Sequence, residues 1–160
     1  MGLIVPYLIT SSAIIDATPV QIGDFFYPTD NNYEKWYDDH DFWRWTRGEP
    51  LEAGSKIDSQ ETVGGHKGGI KATVIESVKN KKIAIRPGWP LSFMCPGLEW
   101  IIERKGDDTY VIARTYYSFG KIFLALRKKS VDEILFLPQK HMDEEGVNLK
   151  NMVEREKSAL

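Results

Sequence analysis

Cysteine is nearly absent from the sequence. Cys95 stands alone, so no disulfide can form within the chain, and an intracellular, cytoplasmic location is expected. Histidine is scarce too, with only His40, His66 and His141 among 160 residues. Neither sign of charge dominates. The net charge of −2 and sequence pI of about 5.9 lack the basic footprint of a nucleic-acid binder. No apolar run is long enough to span a membrane. The apolar start, MGLIVPYLITSSAII, has no basic leader and is broken by Pro6, so it reads as a lead-in and first strand rather than a signal peptide. No repeat or linker divides the chain, and one domain over residues 1–160 is expected.

What the sequence does have is an ordinary globular balance, 42% hydrophobic and 28% charged, enriched in aromatics with five Trp. Leu8 to Ile15 reads as a strand. Thr18-Pro19 then opens a short helix, with Thr18 as cap and Pro19 in the first turn. Asn31 to Tyr37 is a second short helical segment, and residues 38–45 turn into a strand. There Phe42, Arg44 and Thr46 share one face and Trp43 and Trp45 the other. Lys56 to Val63 alternates, which places Glu61 on the apolar face with Ile57 and Val63. Gly64-Gly65 and Gly68-Gly69 permit a hairpin or bulge around His66. Without a strand-to-helix context they do not form a phosphate loop. Further strands are expected at 70–78, 82–86, 98–104 and 109–117, the last two joined by a KGDD turn. Residues 87–97 hold three prolines and form a loop whose Trp89, Phe93 and Met94 are placed to cap a cavity. Residues 118–136 read as a loop, with a short apolar helix or strand at IFLAL.

The chain closes on PQKHMDEEGVNLKNMVEREK, residues 138–157, read as a helix that starts at Pro138. His141, Glu145, Leu149 and Met152 fall on one face of it. A carboxylate on an apolar stripe is costly unless paired. A metal ion gripped by His141 and Glu145 is one such pairing. A simple His–Glu pair on the helix surface is the alternative. The order of elements is strand, two short helices, a run of antiparallel strands and a long helix. It predicts an α+β layered design in which a curved antiparallel sheet wraps the last helix around an internal cavity.

That order, with the ATPVQIGDFF opening, resembles the Bet v 1-like, or START/SRPBCC, superfamily of helix-grip proteins over nearly the whole chain. Within it, KWYDDH followed by FWRW, then QETVGG and HMDEEGVNL, resembles the 2,4-diacetylphloroglucinol hydrolase family. The chain is shorter than those hydrolases. The resemblance implies a zinc ion in the cavity held by His40, Glu61, His141 and Glu145. It also implies hydrolytic cleavage of a carbon–carbon bond between an acyl group and a polyhydroxylated ring, or in a β-diketone. His66, between glycines, is expected at the surface. Tyr33, Trp43, Tyr116 and Tyr117 are candidate substrate contacts. The expected partner is a small hydrophobic or aromatic ligand, with neither nucleic acid nor membrane, and a homodimer is compatible with it. The rival is a non-enzymatic carrier of the same superfamily for a small hydrophobic ligand such as a lipid or polyketide. A carrier has little use for two His and two Glu inside its cavity.

Overall fold

Alternation of apolar and polar residues dominates the middle of the chain, and the strands that result are long enough to curl. The computed structural model describes residues 4–26, 29–126 and 130–158. In chain order the elements are β1 (Ile4–Ile15), α1 (Pro19–Phe26), α2 (Thr29–Trp36), β2 (His40–Arg47), β3 (Lys56–Val63), β4 (His66–Val78), β5 (Lys82–Pro87), β6 (Gly97–Lys105), β7 (Asp108–Gly120), α3 (Lys121–Leu126) and α4 (Val131–Ser158). The seven strands form one sheet in the order β1-β7-β6-β5-β4-β3-β2. Every neighbouring pair is antiparallel. The sheet curves around α4, which is the helix-grip fold expected from the order of elements.

Local chemistry explains the element boundaries. At α1 the Thr18 hydroxyl accepts from Gln21 N while the Gln21 side chain accepts from Thr18 N, a reciprocal cap. Between β3 and β4 the two-residue turn Gly64-Gly65 has φ of 58° and 80°, values that glycine adopts without strain. Gly64 also lies under α4: a Cβ there would come within 2.6 Å of Leu137 Cδ1.

The last helix begins seven residues before the expected start. Ser130 and Glu133 form a capping box, with Ser130 N donating to Glu133 Oε2 at 2.6 Å and Glu133 N to Ser130 Oγ at 3.2 Å. Pro138 therefore sits inside α4 rather than opening it. It supplies no N–H to the turn before it. The IFLAL stretch lies within α3.

α4 buries Leu135, Met142, Leu149 and Val153. Leu149 and Val153 join Ile22, Phe25, Phe26, Trp36, Trp43 and Ile57 in the main core. Each such side chain contributes on the order of 1.5–3 kcal/mol when taken out of water. The outer edge of β1 is occupied by α4: Gln139 donates to the Thr10 carbonyl at 3.1 Å and Lys150 to that of Ile14 at 2.7 Å. Among the described residues, no helix is long and apolar enough to cross a membrane.

Candidate metal centre

Three elements converge at one end of the cavity under α4. β3 supplies Glu61 from its inward face, where Ile57 and Ser59 are 1% and 3% exposed. α4 supplies His141 and Glu145, one turn apart. β2 supplies His40 by a less regular route. From Phe42 to Trp45 the pairing with β3 is regular, and strict alternation would carry His40 to the outer face with Phe42 and Arg44. A bulge at Asp41 shifts the register, so His40 pairs with Glu61 instead of Thr62. One extra residue thereby turns His40 inward. It is 5% exposed and His141 is 7% exposed.

One donor atom from each of His40, Glu61, His141 and Glu145 lies within 4.8 Å of all the others. The bonds around this cluster orient it. His40 Nδ1 stands 2.8 Å from the Tyr33 carbonyl oxygen. A carbonyl only accepts, so Nδ1 carries a proton and donates. In the neutral ring that leaves the lone pair on Nε2, which faces Glu145 Oε1 at 2.7 Å. The Tyr33 hydroxyl donates to Glu61 Oε2 at 2.8 Å, and its ring stacks flat on His40 at 3.8 Å between centroids. His141 Nε2 lies 3.8 Å from Glu61 Oε2 and 4.0 Å from Glu145 Oε2, ion-pair distances that are too long for hydrogen bonds. It is buried without a hydrogen-bond partner.

The electrostatics follow from this crowding. Burial favours the neutral Glu61 acid, but neighbouring His141, the Tyr33 hydroxyl and His40 outweigh it and hold the carboxyl below its usual range. Burial likewise opposes a charged His141, yet Glu61, Glu145 and Asp39 hold its imidazole above the usual range. Burial and the nearby Glu61 and Glu145 charges push the Tyr33 phenol far up, so it remains a donor.

These residues fit a zinc ion. Two imidazoles and two carboxylates are zinc's ordinary donors. His40 is held by its second nitrogen in the manner of a metal-bound histidine. His141 Nε2 is a buried nitrogen with no hydrogen-bond partner among the described residues.

Next to the cluster lies a cavity of about 240 Å³, walled by Tyr33, Trp43, Leu91, Cys95, Leu98 and Tyr117 among others. Burial pushes the Cys95 thiol up to about 11, so it stays protonated. Tyr33, Trp43 and Tyr117 of the expected substrate contacts face this space. Tyr116 does not line it: alternation along β7 sends it outward, 37% exposed, with its hydroxyl on Glu99 Oε1 at 2.8 Å. Trp89, at 88% exposed, and Phe93, at 63%, point away as well, and Leu91 and Cys95 from the same loop face inward instead. His66 is exposed. Sequence reasoning missed Tyr37, whose ring meets His141 at 4.8 Å and His40 at 5.5 Å. Its place one turn after Tyr33 in the same helical segment was the available signal.

No protein-family model matches the chain, and no curated protein does. Solved structures do. The di-domain ARO/CYC protein BexL of the BE-7585A biosynthetic pathway is 9% identical, with a TM-score of 0.75 over 93% of this chain and 50% of that one. This chain thus spans about half of that protein. A START superfamily protein from Mycobacterium smegmatis is 13% identical, with a TM-score of 0.71 over 92% of this chain and 97% of that one. Ara h 8.0201 is 8% identical, with a TM-score of 0.66 over 93% and 98%. These are Bet v 1-like and START superfamily structures, and the likeness shows that this chain has their helix-grip fold.

Proposed function

We propose that this protein is a zinc-dependent hydrolase that cleaves a carbon–carbon bond between an acyl group and a polyhydroxylated aromatic ring, or in a related β-diketone. The observation that carries the reading is the convergence of His40, Glu61, His141 and Glu145 at the end of an apolar-walled cavity. A cavity that only carries an apolar ligand gains nothing from four buried or half-buried ionisable groups, which cost free energy to desolvate. The motif resemblance to the 2,4-diacetylphloroglucinol hydrolases supports the same reading.

His40, Glu61, His141 and Glu145 would hold the ion. Zinc bound there supplies Lewis acidity toward a carbonyl oxygen and lowers the pKa of water. Tyr33 positions two of the ligands at once, through its carbonyl on His40 and its hydroxyl on Glu61. Trp43, Leu91 and Leu98 present apolar surface that excludes bulk water and takes the face of a ring. Burial raises the Tyr117 phenol, which stays protonated and donates to a ring hydroxyl. The cavity, about 240 Å³, falls below the roughly 300 Å³ at which drug-sized pockets begin, which favours a single ring.

Chemically, the ring carbon that bears the acyl group takes up a proton, giving a keto tautomer. Water adds to the acyl carbonyl. The carbon–carbon bond breaks, its electron pair leaves with the ring as an enolate, and the acyl group departs as a carboxylic acid. Two protons and one oxygen enter as water, so the step balances. Ring hydroxyls are required, because only they permit the keto tautomer.

The test is a panel of acylphenols and β-diketones, scored for acid release by metal-loaded protein with and without chelator. Release should require both metal and ring hydroxyls, and acetophenone should not react. Tight binding of the panel without metal-dependent release would instead identify a carrier. Release that survives both chelator and His141→Ala would place the chemistry elsewhere.

A further inference from the structure

Tyr37 stands between two spaces. On its inner side, its ring packs edge-to-face on His141 and His40. On its outer side it lines a surface groove whose charged residues are Asp38, Asp39, Lys140, Asp143 and Glu144. His141 lines the inner cavity but not the groove, while Tyr37 lines the groove but not the cavity. The tyrosine ring is therefore the partition. Among the described residues, one hydrogen bond fastens its side chain from outside: the hydroxyl donates to Glu144 Oε2 at 2.5 Å. Glu144 in turn lies 3.5 Å from Lys140 Nζ.

The two sides differ in what they offer a cation. The inner cavity is walled mostly by apolar side chains, an expensive passage for a hydrated dication. The groove sets four carboxylates against one ammonium, a field that concentrates cations at its floor. Just behind that floor lies His141, 7% exposed, with its unpartnered Nε2.

We propose that Tyr37 is a gate through which a divalent cation passes from the acidic groove to the His40, Glu61, His141 and Glu145 cluster, by a route separate from the cavity that takes the organic ligand. This rests on the metal reading given above. Opening requires the ring to swing away from His141 and to break its bond to the Glu144 carboxylate. A hydrogen bond to a charged group holds such a ring closed for most of the time, so loading and loss of metal are both slow.

Zinc uptake and chelator-driven zinc loss, followed in stopped flow on the full chain, test the gate. Tyr37→Phe keeps the ring and removes the latch, and should speed both processes by about tenfold or more at unchanged equilibrium affinity. The double variant Asp38→Asn/Asp143→Asn should load several-fold more slowly and show a shallower dependence on ionic strength. Unchanged rates in Tyr37→Phe, or an unchanged salt dependence in the double variant, would put the route through the inner cavity and overturn the gate. A change in equilibrium affinity that accounts for the rates would make Tyr37 a positioning residue, which also overturns it. Equilibrium uptake with unmoved rates removes the gate alone. Absence of any zinc uptake by the unaltered protein removes the metal reading and the gate together.

Discussion

His40 Nε2 and Glu145 Oε1 lie 2.7 Å apart, joining the first residue of β2 to the middle of α4. Two oxygen acceptors thus flank the His40 ring, since Nδ1 already donates to the Tyr33 carbonyl. The contact ties β2 to α4 across the site, and its two atoms belong to two of the four residues whose donor atoms lie within 4.8 Å of one another.

Zinc should bind with about one equivalent per chain, as read by elemental analysis after metal-limited purification and zinc titration. His141→Ala removes a first ligand and should weaken binding by more than about 100-fold, beyond the 10–100-fold typical of an outer-shell partner. His66→Ala should leave binding unchanged, because His66 is exposed at the end of the β3–β4 hairpin and is not one of the four clustered residues.

The metal-free protein should lose stability as pH rises above neutrality. His141 is raised above its ordinary 6.5, so its contribution is fully present below pH 6.5 and is lost as pH climbs through the folded-state value. Glu61 is lowered below its ordinary 4.5, so its contribution is present above pH 4.5 and is lost as pH falls through its own lower value. The site thus favours folding most between about pH 4.5 and 6.5. Zinc competes with the proton on His141, so its stabilisation should grow as the pH rises. Thermal melts at pH 6 and pH 8.5 with and without zinc check this. A metal-free melting temperature that rises across that interval would contradict the charge arrangement described for His141.

Tyr33→Phe separates the two tasks of Tyr33. Its carbonyl and its ring stack on His40 survive the change, and only the 2.8 Å bond to Glu61 is lost. Zinc affinity should fall about 10–100-fold with the stoichiometry intact. Glu61 should titrate nearer its ordinary range, since one group holding it down is gone. Isothermal titration and carboxyl-selective NMR measure the two effects independently.

Periodicity made much of this legible in the sequence. The inward set Ile57, Ser59, Glu61 and Val63 follows from alternation over an unbroken strand, and β3 has the bounds expected of it. The i, i+4 spacing of His141 and Glu145 puts both on the cavity side of α4. What periodicity could not give lies where it breaks. His40 faces inward only because of the bulge at Asp41, which no alternation rule announces. Tyr116 and Tyr117 are adjacent on a strand, so at most one could face the cavity, and that constraint was readable in advance. The start of α4 lies before Pro138, which looks like an opening residue, while the stronger signal, Ser130 with Glu133, stands two turns earlier in the same helix. In the proline-rich loop no period exists, and exposed Trp89 and inward Leu91 are two residues apart.

Two helical glycines should respond to alanine in opposite directions. Gly146 sits in the interior of α4, where glycine costs about 0.8–1 kcal/mol relative to alanine. A Cβ there would meet Ala13 Cβ and Ser11 Oγ at 3.7 Å, ordinary van der Waals contact, within a pocket of about 20 Å³. Gly146→Ala should therefore stabilise the protein by about 1 kcal/mol and raise the melting temperature by roughly 2–4 °C. Gly23 in α1 is buried, and a Cβ there would stand 2.0 Å from Asn80 Oδ1. Asn80 Cγ at 2.8 Å and Asn80 Cα at 3.4 Å crowd the same position, so the base of the side chain as well as its tip must shift. Gly23→Ala should cost about 1–3 kcal/mol, the usual range for overpacking, despite its better helix propensity. Urea melts of the two variants decide the matter. Equal stabilisation of both would show that propensity alone governs these positions, and destabilisation by Gly146→Ala would show that α4 packs closer to β1 than 3.7 Å allows.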